Sequence, residues 1–266
     1  MIFFKTEEEL EIMHSNAMLA SNTITEIAKV LKSGITTLSL DELADEFIRD
    51  HGAVSSFYNF QGYPFHICTS INDVIVQGPP SKRTIQEGDV VSIDVGVLKN
   101  EFYGEHVYTF IVGETTPEIL KLRRIAKESL FAGLEEAFAG NHMGEICSAI
   151  QHYNEKKGYG VIRESGGHAI GRSMHELPEV PNYGRRGTGI EMRQNLVLAI
   201  EPLVNLGTQE IIEDKDGSYR TADGLASVHF EHIVCIKPEK GWILTDFDPI
   251  EKAEKANKNL NASYDE

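Results

Sequence analysis

The chain predicts an α+β domain of two αβ halves, with helices packed behind a curved, mostly antiparallel sheet. Three observations predict it. Helical periodicity at 6–32, 39–51, 117–138 and 143–157 is interleaved with β-patterned segments at 89–112 and from 159 onward. The segment 89–112 reads as one hairpin. The halves also echo each other. Asp94 ends the apolar run VVSI, Glu201 ends the run LVLAI, and helices precede each.

The elements follow in order. Residues 6–32 form an amphipathic helix opened by a capping box, Thr6 with Glu9, and Leu10, Met13, Ala17 and Ala20 recur at helical spacing. A second helix covers 39–51, with Ser39 as N-cap and Gly52 as stop. Short strands and turns fill 53–80 around GYP and GPP. In the hairpin, a two-residue turn at Lys99-Asn100 places Asp94 directly opposite Glu105 on one face; a register error of two makes them diagonal neighbours on that same face. Two helices follow, then Gly-rich strands from 159 and a loop over 181–189. A buried strand at 195–200, a polar hairpin at 209–224 and a strand pair around 227–245 complete the order. Residues 1–249 are expected to form a single domain, and 250–266 a polar C-terminal tail, frayed or a solvated helix.

Composition narrows the function. Lys and Arg total 25 against 41 Asp and Glu, a formal net charge of −16, which disfavours nucleic acid and anionic membranes as partners. No run of 18 apolar residues predicts a membrane span. Three cysteines without a C-x-x-C pair disfavour a disulfide framework. The N-terminus turns acidic within seven residues, unlike a secretory signal. A cytoplasmic monomer is expected. The Gly-rich segments match neither the dinucleotide nor the P-loop pattern, so nucleotide binding is not expected.

Chemistry concentrates at Asp94, Glu105, His168, Glu201 and Glu231. Asp94, Glu201 and Glu231 lie inside apolar runs, VVSIDVGV, VLAIEPLV and VHFEHIVCI. A carboxylate buried there is costly unless it is paired or binds metal. Arg163, Arg172 and Arg193 could each neutralise one isolated acid. Several acids in matching contexts point instead to one shared partner, a pair of divalent cations with water between them. One His with four carboxylates favours Mn²⁺, Fe²⁺ or Co²⁺, with Zn²⁺ compatible. No H-E-x-x-H is present, which excludes the single-zinc helical peptidase pattern. His106 and His232 each follow a candidate ligand, so they point to the opposite face of their strands. Together with His66 and His229 they are read as structural or supporting residues.

The stretches SINDVIVQGPP, VVSIDVGV, FYGEHVYTFIVG, SGGHAIGRSMHELPEVPNYG, LAIEPLV and FEHIVC resemble the methionine aminopeptidases of short bacterial type, in the pita-bread metallopeptidase family. The resemblance runs in order from about 5 to about 248 and implies a pita-bread fold with a catalytic domain over 1–249. It implies that Asp94 and Glu105 hold one metal, His168 and Glu201 the other, and Glu231 bridges both. Glu201 would be general base toward a metal-bridging hydroxide, and His175 would donate to the developing oxyanion. The methionine pocket would be Phe60, Tyr63, Cys68 and Met174, with Phe57 a weaker candidate. A monovalent cation near Asn72, Val74 and Ser227 is implied too. The substrate would be the N-terminal initiator methionine of new polypeptides, with a small second residue.

Three positions depart from the family pattern. Gln77 stands where the family usually has a catalytic His, and Gln cannot shuttle a proton. Glu105 replaces the usual Asp, and Ala169 a common Gly. Two alternatives therefore stay open beside a working enzyme of reduced activity: a weak or inactive paralogue that binds peptide or protein, and a proline-type exopeptidase of the same fold.

Overall fold

The computed structural model describes residues 1–263, so the end of the expected tail lies outside the described residues. Helix α1 (Glu7–Val30) starts at the expected capping box: the Thr6 hydroxyl accepts from the Glu9 N–H, and Glu9 accepts from the Thr6 N–H. Helix α2 (Thr37–Asp50) begins earlier than expected. Its N-cap is Thr36, whose Oγ1 accepts from the Ser39 N–H at 3.1 Å, so Ser39 supplies the donor and not the cap.

The central hairpin joins Val90–Lys99 to Phe102–Ile111. Its turn is Asn100-Glu101, one residue later than expected, with both residues at positive φ (52° and 67°) as a tight hairpin turn requires. Helix α1 explains the register: the buried Asn16 Nδ2 donates to the carbonyls of Lys99 and Phe102 at 2.9 and 2.8 Å, clamping both ends of the turn. Asp94 therefore pairs with Val107, and Glu105 with Gly96. The two acids are diagonal neighbours, not directly opposed, and share one face. Ile67–Ile71 pairs with the other edge of Val90–Lys99 and brings Cys68 opposite Asp94.

Helices α3 (Pro117–Glu135) and α4 (Met143–Glu155) match the expected pair and pack on each other behind the second half. There Gly166–Ala169 pairs with Glu176–Pro181 and with Val197–Ile200, which pairs in turn with His232–Cys235. Leu203–Asn205 pairs with Ser227–His229 in a separate small sheet. Both ladders follow one register, so Glu201 falls opposite Glu231 where the chain passes from one sheet to the next. At that lapse the Glu231 N–H donates to the Val107 carbonyl of the first-half hairpin at 3.2 Å. Glu231 is thus set between the halves.

From 250 the chain takes the helical of the two expected forms, a frayed tail or a solvated helix, but one face of that helix is buried rather than solvated. Helix α5 (Asp248–Ala256) packs on α1, with Ile250, Ala253 and Glu254 buried. Glu254 bonds the fully buried Arg123 at 2.6 Å and accepts from the Tyr108 hydroxyl at 2.8 Å. A polar sequence hides this anchor, because only Ile250 and Ala253 contribute apolar burial and the rest of the contact is ionic.

Candidate active site

One cavity of about 750 Å³ opens on the concave side of the sheets. Asp94, Glu105, His168, Glu201 and Glu231 line it, as do His175 and Gln77. The hairpin supplies the first two acids. Glu201 and Glu231 come from the lapse between sheets, and His168 from Gly166–Ala169. Gly167 lets that strand approach: a Cβ there would meet the Ala199 carbonyl oxygen at 2.2 Å.

The His168 Nδ1 lies 3.1 Å from its neighbour's carbonyl, that of Ala169. A carbonyl only accepts, so Nδ1 carries the proton. Nε2 is left as a bare lone pair, 3.7 Å from Glu105 Oε2 and 3.8 Å from Glu201 Oε1. Lone pairs facing lone pairs need a positive charge among them. Asp94 Oδ1, Glu105 Oε2 and Glu231 Oε1 are buried without a hydrogen-bond partner. Burial first, and then repulsion from neighbouring carboxylates, pushes Asp94, Glu105 and Glu231 well above the usual carboxylate range. Among the described residues, no three His, Cys, Asp or Glu side chains are already closed around an ion-sized point. The donors line a space rather than converge. Their chemistry fits divalent cations all the same, since these five residues offer four carboxylates and one imidazole. Among the described residues no arginine pairs with these acids: Arg163, which lines the same cavity, pairs with Glu155, and Arg172 with Glu9 and Glu101.

Glu201 differs from the other three. Burial pushes it up, but the hydrogen bond from His229, with that ring's favourable electrostatics, outweighs this and holds it below the usual range. The contact is His229 Nε2 to Glu201 Oε2 at 3.0 Å. Of the two roles expected for His229, structural or supporting, this contact is the supporting one. The signal for His229 was its spacing: two residues from Glu231, it shares that residue's face. By the same rule His106 and His232 lie on the far side, as expected, with ring centroids 5.2 Å apart.

The expected methionine-pocket residues come together. Phe57, Cys68 and Met174 form a buried apolar cluster with Phe60 and Tyr63 against it, and Tyr103 joins them unforeseen. The Tyr63 hydroxyl donates to the Ile67 carbonyl at 3.0 Å. The His175 ring meets Phe60 edge-on at 5.6 Å and His168 at 4.4 Å. Gln77 stands at the cavity with φ of 60°. Asn72 and Ser227 are joined by a 2.8 Å backbone bond, Ser227 N–H to Asn72 carbonyl. No helix among the described residues is long and apolar enough to cross a membrane.

Residues 11–238 match the model of metallopeptidase family M24. A methionine aminopeptidase of Clostridium acetobutylicum is 42% identical over 247 residues, which covers 92% of this chain and 99% of that protein. Methionine aminopeptidase 1 of Bacillus subtilis is 38% identical over 246 residues, with 92% and 99% covered. The crystal structure of methionine aminopeptidase from Rickettsia prowazekii superposes with a TM-score of 0.91 at 35% identity, over 92% of this chain and all of that one. The expected pita-bread architecture is thereby borne out.

Proposed function

This chain belongs to metallopeptidase family M24, and on that premise we propose that it is a methionine aminopeptidase acting as a monomer on the N-termini of new polypeptides in the cytoplasm. The observation that carries the reading is the set of buried, unpartnered oxygens on Asp94, Glu105 and Glu231 beside the bare Nε2 of His168. The family implies divalent metal ions. Here Asp94, Glu105, His168, Glu201 and Glu231 would hold them, with Mn²⁺, Fe²⁺ or Co²⁺ best suited to an oxygen-rich set. A monovalent cation on backbone near Asn72, Val74 and Ser227 belongs to the same reading. When bound, the divalent ions supply an acidified water and polarise the scissile carbonyl.

The protein groups do the rest. The substrate's methionine side chain enters the cluster of Phe57, Phe60, Tyr63, Cys68 and Met174, whose soft apolar lining suits a thioether. Glu201, held ionised, takes a proton from the attacking water and returns it to the departing amine as the C–N bond breaks. His175 donates a hydrogen bond to the carbonyl oxygen as charge develops there. Gln77 offers an amide where proton transfer would need an imidazole, so it orients the peptide and does not carry protons.

The test compares Met-Ala-Ser with an X-Pro peptide under Mn²⁺. Release of free methionine from the first alone supports the reading. Cleavage confined to X-Pro, or peptide binding without turnover, would replace it with a proline-type exopeptidase or a peptide-binding relative.

A further inference from the structure

We propose that Lys5 is a positioning residue for His175, so that the N-terminal segment sets the aim of a group in the active site. The inference rests on the reading of His175 as the residue facing the scissile carbonyl.

The observations begin with an ion pair that the mechanism does not use. Lys5 Nζ meets Glu176 Oε2 at 2.7 Å, and the two side chains are 4% and 5% exposed. A charge pair this deep returns little net stability against the cost of desolvating both ions. Its location suggests a different use. Glu176 directly follows His175, and its second oxygen is engaged as well: Oε1 accepts the N–H of Arg172 at 2.9 Å and that of Ser173 at 3.4 Å. One carboxylate thus braces the turn that carries Met174 and His175 toward the cavity.

Lys5 is itself fixed from two sides. Its N–H donates to the Asn195 carbonyl at 2.9 Å, and Asn195 Nδ2 donates to the Lys5 carbonyl at 3.0 Å. Ile2 forms a bridge with Leu177, beyond the turn. Gly171 leaves the room: a Cβ there would meet Lys5 Cε at 2.4 Å and Nζ at 2.5 Å. The segment 2–5 is therefore a strap across the base of the turn, with the Lys5 ammonium as its fastening. Removing that ammonium leaves a buried carboxylate uncompensated one residue from His175, and the turn must shift to hydrate it. A displacement near 1 Å costs on the order of 100-fold in rate.

The test uses Lys5→Met, with Glu176→Gln as second variant, which keeps an acceptor for the turn's N–H groups but removes the charge. The His175 ring resonances, assigned with His175→Gln, are recorded without substrate. They stand or fall whether or not the unmodified chain releases methionine. The expected result is a moved His175 signal, a kcat at least about tenfold lower and Mn²⁺ affinity within about twofold, since the five candidate ligands lie outside the turn. Unmoved ring signals and unchanged kcat in a folded variant that only melts earlier would overturn the proposal, because the pair would then be structural alone.

Discussion

The extended segments around Glu105 and Glu231 show two unlike faces. Glu105 is followed by His106 and Glu231 by His232, so alternation sends acids to the cavity and imidazoles behind the sheet. Behind it, His106 Nδ1 meets the Ser21 hydroxyl at 2.9 Å and His232 Nδ1 meets the Thr245 hydroxyl at 2.7 Å. The two rings stack on each other and against Phe247. Burial pushes both imidazoles down, His232 to about 3, so this face is neutral at physiological pH and needs no ion. On the cavity face Asp94, Glu105 and Glu231 each keep a buried carboxylate oxygen without a partner, whereas the one unpartnered atom of the stacked imidazoles, His106 Nε2, belongs to a ring that burial holds neutral. A neutral ring can leave one nitrogen unpartnered at modest cost, but several unpartnered carboxylate oxygens facing one another await a ligand.

The comparison breaks most visibly at Glu201. Glu201→Gln should lower the rate of methionine release by about 10²–10⁴-fold, the usual range for a lost general base; a loss under tenfold would move the base elsewhere. His229 tests whether Glu201 needs its orienting neighbour. His229→Leu should cost roughly 10–100-fold in Mn²⁺ affinity or turnover, and His229→Gln, which keeps an N–H donor, should recover most of it.

Smaller effects sharpen the contrast in stability. The metal-free chain carries Glu231 with its proton affinity raised by burial and by Glu105, Glu201 and Asp94. A raised carboxyl contributes stability below its unfolded-state pKa and loses it as pH climbs toward the folded value. Glu231→Gln should therefore melt higher than the metal-free parent, and the gap should widen between pH 5 and pH 8. A gap that narrows would mean that Glu231 is satisfied without metal. On the far face, His106→Leu forfeits the Ser21 bond and should cost about 1–3 kcal/mol in denaturant unfolding, with kcat within about threefold. A large kcat loss there would erase the distinction between the faces.

Much of this was legible in sequence, for identifiable reasons. Asp94, Glu201 and Glu231 announce themselves as acids inside apolar runs, and His106 and His232 follow from strand alternation. The hairpin register was not legible, because it depends on Asn16, 83 residues from the Lys99 carbonyl it holds. A helix from 250 was among the expectations, but its buried face was not, because part of that face is Glu254 on Arg123, an ionic contact that no hydrophobic pattern reports. His229 was legible as a structural or supporting residue, and the rule that placed His232, applied two residues toward the N-terminus, puts it on the cavity side with Glu231.

The most direct measurement is a calorimetric Mn²⁺ titration of the chelator-treated protein beside Glu231→Gln. The cavity-face acids, if they form a cation site, will bind Mn²⁺ in the parent and lose at least about tenfold in affinity in the variant, which removes one of the candidate ligand charges. Equal affinity in the two proteins, or no binding by the parent, would contradict the account.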